Sequence, residues 1–235
     1  MLRNIYQKLA SLTFGIWLIA GVMLLLGAGS FSSGAAESGS INDLPLFVWL
    51  REAPLAASWW LWGSLALLAL LALNTILCSI ESLRSKWGKT GFLILIAPQV
   101  MHIGFLLIIL AHLLSAGGSY KQIMQVEEGS VIGFPDGSLV GVTAIRGSVG
   151  QMGMLTDFSA DLALTVEGRQ LYKTARPNEP VFYQGVGLYV KDVAIMPRRA
   201  ALIEVHREPG AGIALAGALL FTLGNVVLLA VRRGR

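Results

Sequence analysis

Two histidines lie in a stretch of the chain that has no charged side chain. The stretch PQVMHIGFLLIILAHLLSAG covers residues 98–117 and contains His102 and His112. An imidazole surrounded by hydrocarbon must be hydrogen-bonded, face water or bind a ligand, because an unsatisfied polar group costs several kcal/mol there. The residue types therefore allow two interpretations: ligation of a metal such as haem iron, or hydrogen bonding to a neighbouring helix.

The distance between the two histidines excludes a shared site. In a helix that starts near Gly91, His102 lies about 16 Å along the axis, near the middle of a bilayer. His112 follows about 15 Å further on and about 80° around the axis, at the outer boundary. His206 precedes the last apolar run on the same outer side. His112 and His206 are the weaker haem-ligand candidates, because an interfacial imidazole can simply be hydrated.

For His102 both interpretations stay open. Its hydrogen-bond partner would be Asn74, Gln99 or a carbonyl that Pro98 leaves free in the helix. As a haem ligand it would need a second ligand from elsewhere, because no other apolar span contains a histidine and paired ligands face each other from different helices. Gly104 removes a side chain beside it, which allows close approach of a macrocycle or of a packed helix.

The composition that surrounds these residues is that of a membrane protein. Hydrophobic residues make up 54% of the 235, charged residues only 14%, and the mean hydropathy is +0.66. Four runs are long enough to cross a hydrocarbon core of about 30 Å. They are residues 9–29, 58–80, 92–116 and 211–231. The first is predicted to be retained as a span, since its apolar core exceeds that of a signal peptide.

Lysine and arginine predict the orientation of the four spans. Basic residues precede the first span, join the second to the third and follow the fourth. The positive-inside rule therefore makes residues 1–8, the loop 81–91 and the tail 232–235 cytoplasmic. The loop 30–57, in which a short interfacial helix is expected, and residues 117–210 then lie on the outer side of the membrane. The net charge of +4 reflects this pattern and does not indicate nucleic-acid binding.

Residues 117–210 have the pattern of a β domain inserted between the third and fourth spans. FSADLALTV places Phe158, Ala160, Leu162, Leu164 and Val166 on one face. FPDGS and VEGRQ are typical of tight turns. Further strands are predicted at Lys121–Glu127, Leu139–Ile145, Gln170–Thr174, Gly187–Ile195 and Ala200–His206. The fold class is therefore an α+β membrane protein, with four transmembrane helices and a small antiparallel sandwich or barrel.

The remaining distinctive residue types have simple interpretations. Four tryptophans, Trp49, Trp59, Trp60 and Trp62, are predicted to form an aromatic belt at the outer boundary. Cys78 is the only cysteine, which excludes an internal disulfide and C-x-x-C thiol chemistry, and it is interpreted as a small apolar side chain.

Four segments resemble one family in the same order along the chain. ALNTILCSIESLRSK (72–86) resembles the second span of ResB-type proteins of the System II cytochrome c biogenesis pathway, and HIGFLLIILAHLL (102–114) resembles their third. RPNEPVFYQGVGLYVKD (176–192) is similar to their extracytoplasmic sheet, and EPGAGIALAGALLFTLG (208–224) to the start of their final span. This chain is shorter than typical members, and it lacks the tryptophan-rich haem-handling motif of the family's partner subunit.

The resemblance implies a function in haem delivery at a bacterial-type inner membrane, with the β domain on its periplasmic side. ResB-type proteins pair with a ResC or CcsA-type membrane subunit and help haem b to cross the membrane for attachment to apocytochrome c. His102 aligns with the family histidine proposed to ligate haem iron inside the membrane. No residue of this chain is predicted to be catalytic, so the chain would be a haem-handling subunit of a haem lyase complex. Two alternatives are a haem b-binding anchor of a quinone-linked redox complex and a cofactor-free assembly scaffold.

Overall fold

The computed structural model describes residues 2–32, 45–134, 137–150, 155–166 and 168–233. These fall into a helical unit and a β unit, the latter comprising Gly118–Glu208. Parts of several predicted features lie outside the described residues. They are residues 33–44 of the outer loop, Pro135 and Asp136 of the first predicted turn, Glu167 of the second, and Gly234 and Arg235 of the tail.

The described part of the chain contains six helices. They are α1 (Leu2–Leu9), α2 (Leu12–Ser32), α3 (Leu46–Glu52), α4 (Leu55–Lys86), α5 (Phe92–Gly118) and α6 (Ala211–Arg233). Four of them, α2, α4, α5 and α6, are long and apolar enough to cross a membrane, which agrees with a multi-pass membrane protein. Pro45 and Pro54 directly precede α3 and α4, where the fixed φ of proline suits a helix start.

The first predicted span differs from the structure, because the helix is broken at Ala10 and Ser11. Ser11 caps α2: its Oγ accepts a hydrogen bond from the Phe14 backbone N–H at 3.2 Å and donates to the Lys8 carbonyl at 2.8 Å. A serine hydroxyl competes with the helix for backbone groups and so favours a helix N-terminus. The continuous apolar pattern concealed this break. The α4 helix also continues to Lys86, six residues beyond the predicted span end at Ile80.

Two rows of small residues hold α5 and α6 together. Ala97, Gly104 and Ala111 recur every seven residues on α5, and Gly210, Gly217 and Gly224 do so at α6. A Cβ added to Gly217 would lie 2.7 Å from the Gly104 carbonyl oxygen, and one on Gly224 would lie 2.8 Å from that of Ala97. The two helices are therefore antiparallel, and their backbones approach as closely as small side chains permit.

Glycines also set the packing of α2 on α4. A Cβ on Gly15 would meet Asn74 Oδ1 at 2.6 Å, and one on Gly21 would meet the Leu67 side chain at 2.8 Å. The residue numbers rise along α2 while the numbers of the contacted residues on α4 fall, so this pair of helices is also antiparallel. Glycine is costly inside a helix in water, but in a bundle it allows the close approach from which van der Waals packing derives its strength.

The β unit is a sandwich of two antiparallel four-stranded sheets. The strands are β1 (Tyr120–Glu127), β2 (Val131–Gly133), β3 (Leu139–Val149), β4 (Leu155–Val166), β5 (Arg169–Ala175), β6 (Val181–Tyr183), β7 (Val186–Ala194) and β8 (Ala200–Arg207). One sheet has the order β1-β8-β7-β6 and the other β2-β3-β4-β5. The strands follow α5 and precede α6. When all six helices are counted, the strands lie between the fifth and the sixth. The prediction placed them between the third and the fourth, and the difference arises because α1 and α3 are two additional short helices.

The sandwich core follows the alternation that the sequence shows. Ala160, Leu162 and Leu164 of β4 are at most 1% exposed and pack with Leu188 and Ile203 of the other sheet. Sequence alternation did not predict β2 or β6, since each has only three residues. The first and last strands pair directly, Tyr120 opposite Arg207, so the chain enters and leaves the sandwich at the same end of one sheet.

A carboxylate is buried on the sheet β1-β8-β7-β6. Glu204 is 5% exposed, and its Oε2 lies 3.2 Å from the ammonium groups of both Lys121 and Lys191. Burial alone would raise the pKa of Glu204, but the hydrogen bonds and charges of the two lysines outweigh it and hold the pKa below its ordinary value of 4.5. The ionised carboxylate thus joins β1, β8 and β7.

We expect Gly217→Ala to weaken the α5–α6 pair, because the added methyl group meets the backbone of α5. Overpacking of this kind costs about 1–3 kcal/mol, or several degrees in the thermal midpoint of a chain of this size. Gly212→Ala on the same helix is the matched control, since a Cβ there meets nothing within 4 Å. The measurement is thermal unfolding in detergent. Equal midpoints for the two variants would contradict the close packing.

We expect Glu204→Gln to destabilise the protein by about 1–3 kcal/mol. A carboxyl whose pKa is depressed by folding stabilises above its unfolded pKa, so the wild-type advantage is present above pH 4.5 and disappears as the pH falls through the lower folded-state pKa. The surface pair of Glu179 and Arg176, 3.9 Å apart, supplies the control Glu179→Gln. Hydrogen exchange of β7 and β8 peptides measures the effect. A Glu204→Gln effect that persists unchanged at pH 3 would refute the ionic explanation.

Candidate functional site

His102 is hydrogen-bonded to a serine of the preceding long helix. Its Nδ1 lies 2.7 Å from Ser79 Oγ, and Ser79 Oγ lies 2.9 Å from the Thr75 carbonyl oxygen one turn earlier in α4. The His102 side chain is half-buried. Within the described residues the structure gives a partner to Nδ1 and none to Nε2. The imidazole is therefore held at one nitrogen and free at the other.

The hairpin of α4 and α5 brings Ser79 and His102 together. The two helices are separated by only the five residues 87–91, so they return alongside each other. Ser79 lies seven residues before the end of α4 at Lys86, and His102 ten residues after the start of α5 at Phe92. Sequence analysis did not single out Ser79. Counting back across this short loop would have placed it within one helical turn of the histidine.

The other polar residues of the same α4 segment serve a different purpose. The Asn74 side-chain amide donates to the carbonyls of Leu9 and Ser11, and the Cys78 thiol donates to the carbonyl of Ala10 at 3.0 Å. These carbonyls are exposed by the break between α1 and α2. Asn74 is thus engaged with the helix break, so it is not the partner of His102. Cys78 is a hydrogen-bonding group and not merely a small apolar side chain.

Gln99 is a buried amide without a partner. It lies three residues before His102 on α5 and is 7% exposed, and neither its Oε1 nor its Nε2 has a hydrogen bond within the described structure. It does not bond to His102, although the sequence made it a candidate partner. Buried polar groups are nearly always paired, so this amide is a local cost in the apolar interior.

Gly104 packs against a helix. A Cβ there would lie 2.5 Å from the Phe221 backbone nitrogen and 2.6 Å from the Gly217 carbonyl oxygen of α6. Of the two uses predicted for this glycine, the geometry supports the approach of a neighbouring helix, because α6 fills the space that a macrocycle would need.

The structure does not bring the other two histidines to His102. His112 is exposed, ten residues further along α5. His206 belongs to β8, where its Nε2 lies 3.5 Å from Glu208 Oε2 and its ring lies 6.4 Å from that of Tyr189. In the described part of the chain no group of three or more His, Cys, Asp or Glu side chains could hold a metal ion together. His102 and His112 are therefore separate imidazoles, ten residues apart on α5.

The predicted aromatic belt is divided between surface and interior. Trp59 and Trp62 are 48% and 50% exposed, as a belt requires, whereas Trp49 and Trp60 are buried at 4% and 7%. The buried pair forms a cluster in which α3 packs on the start of α4. The α3 helix lies in the loop 30–57, where a short interfacial helix was predicted, and its Trp49 packs against the start of α4, which the sequence pattern did not indicate.

A haem iron would find one suitable ligand here. His102 is half-buried, and its Nε2 has no hydrogen-bond partner within the described residues, while its Nδ1 is held by Ser79. Such an arrangement is typical of metal-ligating histidines, whose second nitrogen is held by an outer partner. The donor set fits a single axial position. A second ligand would come from another protein, a different residue type or water, because within the described residues no other histidine lies on α2, α4 or α6.

Comparisons with known proteins do not assign this chain to a family. No family model matches this chain, and no curated protein matches it. Among solved structures, the cytochrome c heme lyase CcmF is similar over 88% of this chain and 34% of its own, with 17% identity and a TM-score of 0.48. This chain thus spans about a third of that protein's length, and a likeness this weak establishes neither a shared fold nor a shared function.

Two buried amides of the bundle are expected to respond oppositely to the same substitution. Asn74→Leu should destabilise the protein by about 1–3 kcal/mol, because the carbonyls of Leu9 and Ser11 lose their donor. Gln99→Leu should leave stability unchanged or raise it, because it removes an amide that has no partner. Thermal midpoints in detergent measure both. A loss for Gln99→Leu as large as that for Asn74→Leu would mean that Gln99 is paired in solution.

Proposed function

We propose that this chain is a ResB-type membrane subunit that holds haem at His102 during its passage to apocytochrome c. The observation that carries the proposal is the free Nε2 of a half-buried imidazole inside a long apolar helix. An intramembrane ionisable residue is costly unless it is used, and a neutral imidazole is a good axial ligand. The four segments that resemble the ResB-type family, in order along the chain, support the same function.

The haem is proposed to be shared with a second protein. His102 supplies one axial position, and within the described residues no other histidine lies on α2, α4 or α6. A ResC or CcsA-type membrane subunit is the proposed source of the second ligand. In this scheme haem b is the cargo, the chain contributes no catalytic residue to thioether formation, and apocytochrome c is the acceptor.

The proposed topology has both termini in the cytoplasm and the β unit in the periplasm. Antiparallel pairing of α2 with α4 puts the start of α2 beside the end of α4, and Tyr6 of α1 donates a hydrogen bond to Glu81 there at 3.2 Å. Antiparallel pairing of α5 with α6 likewise joins the start of α5 to the end of α6. The basic residues at these ends, which include Lys8, Lys86 and Arg232, then mark the cytoplasmic side.

The test is the absorption spectrum of the protein purified with a ResC or CcsA-type partner. We expect a reduced b-type spectrum in the wild type, loss of the haem in His102→Ala, and its return when imidazole is added to that variant. His112→Ala is the matched control, because it removes an exposed imidazole from the same helix. It should retain the haem.

Three other outcomes would contradict this proposal. Haem that is unchanged in His102→Ala would remove this residue from the proposal. An intact complex without haem would favour the assembly scaffold. Haem that depends on His102 in a strain whose cytochrome c maturation is normal after deletion of this chain would favour a haem-binding anchor of a redox complex.

A further inference from the structure

The contact between Ser79 and His102 has one hydrogen assignment that satisfies both of its hydrogen bonds. Ser79 has a single hydroxyl hydrogen, and its Oγ is within hydrogen-bond distance of both the Thr75 carbonyl and His102 Nδ1. A carbonyl can only accept, so the hydrogen must go to Thr75. The Oγ lone pair must then accept a hydrogen from Nδ1. The opposite assignment, with Ser79 donating to Nδ1, would form one bond instead of two.

This assignment fixes the chemical state of the ring. A neutral imidazole carries one hydrogen, so an Nδ1–H tautomer leaves a lone pair on Nε2. That lone pair lies in the ring plane on the side away from Ser79. An Nε2–H tautomer could not ligate a metal through this nitrogen. In hydrocarbon, where water is not present to exchange protons or partners, a fixed acceptor has a larger influence on the tautomer than it would have at a wet surface.

Other hydroxyl side chains of α4 show that Ser79 has an additional role. Ser64 and Thr75 also donate to the carbonyl four residues earlier, to Trp60 at 2.8 Å and to Leu71 at 2.8 Å. Such back-bonding satisfies a hydroxyl within its own helix. For neither of them does the structure give a bond to an imidazole, so Ser64 is a matched control for Ser79.

We propose that Ser79 is a positioning residue that holds His102 as the Nδ1–H tautomer and so presents the Nε2 lone pair to haem iron. This inference rests on the proposed function for its haem step, and on the structure alone for its tautomer step. Ser79 also raises the basicity of the imidazole by accepting its Nδ1 hydrogen, which strengthens ligation. Loss of such an outer partner lowers metal affinity about ten- to a hundred-fold.

The experiment has two readouts on the full-length protein in lipid nanodiscs. The first is the ¹⁵N spectrum of ring-labelled histidine without any ligand, with the His102 signals assigned by their loss in His102→Ala. The second is titration with iron protoporphyrin IX, followed by its absorption spectrum and reduction potential. Both are measured for wild type, Ser79→Ala, Ser79→Thr and the control Ser64→Ala.

We expect the wild type to show a protonated Nδ1 and an unprotonated Nε2 at His102. Ser79→Ala should lose that preference, bind the porphyrin about ten- to a hundred-fold more weakly and shift its potential upward, because the ligand is less basic. Ser79→Thr keeps the hydroxyl and should behave as the wild type, and so should Ser64→Ala.

The outcomes separate this inference from the proposed function. If His102→Ala abolishes porphyrin binding but Ser79→Ala changes neither tautomer nor affinity, the positioning role is wrong and the proposed function stands. If the tautomer depends on Ser79 but porphyrin binds equally well to His102→Ala, the proposed function fails while the tautomer assignment holds. An Nε2–H tautomer in the wild type overturns the inference directly.

Discussion

The structure of the helical unit depends on one constraint: a polar group in an apolar bundle must find its partner within the chain. The second half of α4 meets this requirement for two separate parts of the helical unit. Asn74 and Cys78 bind the carbonyls left by the break before α2, and Ser79 binds the imidazole of α5. One segment of α4 thus satisfies the helix break through Asn74 and Cys78, and a histidine through Ser79. The α4 helix is therefore the element that determines where the others can place their polar atoms.

Close backbone packing is the second interaction that positions α5 in the helical unit. Gly104 follows His102 by two residues, so the two positions lie about 160° apart around the α5 axis. Gly104 contacts α6 at the backbone, while His102 contacts α4 through Ser79. The α5 helix is thus located from opposite sides, by steric fit on one and by a hydrogen bond on the other. The rotation of α5 about its axis, and with it the direction of the imidazole, is set by both contacts together.

Sequence patterns predicted the elements well where one period dominates a segment. Four apolar runs gave the four long helices, and the alternation in residues 158–166 gave the core strand β4. The patterns failed where one residue overrides its surroundings. Ser11 interrupts the first apolar run near its start by capping α2, and three-residue strands such as β6 are too short to show a period. Trp49 and Trp60 are buried because α3 packs on α4, a tertiary contact that residue type alone does not reveal.

The site was predicted only in part, for a related reason. Residue type identified His102, because an imidazole in an apolar run is conspicuous. The predicted partners were two amides and a carbonyl freed by Pro98, yet Asn74 is bonded elsewhere and Gln99 has no partner within the described residues. The actual partner is Ser79. A serine hydroxyl in a helix usually bonds to a carbonyl of the same helix, so serine was not considered as a partner for the histidine. The seven-residue rows of glycine and alanine on α5 and α6 could have been found from the sequence, and they would have assigned Gly104 to helix packing.

A single fixed imidazole is also suited to transfer rather than permanent storage of a ligand. A site with both axial ligands on one chain holds its metal through two bonds that the fold keeps in place. Under the proposed function His102 would supply one ligand to the haem and another protein the second, so the haem would lose that second ligand when the two proteins separate. The hydrogen bond from His102 to Ser79 remains throughout, because both residues belong to the same hairpin. The chain can thus keep its own ligand oriented while the other bond is exchanged, and an oriented ligand avoids the entropy cost of ordering it anew at each transfer.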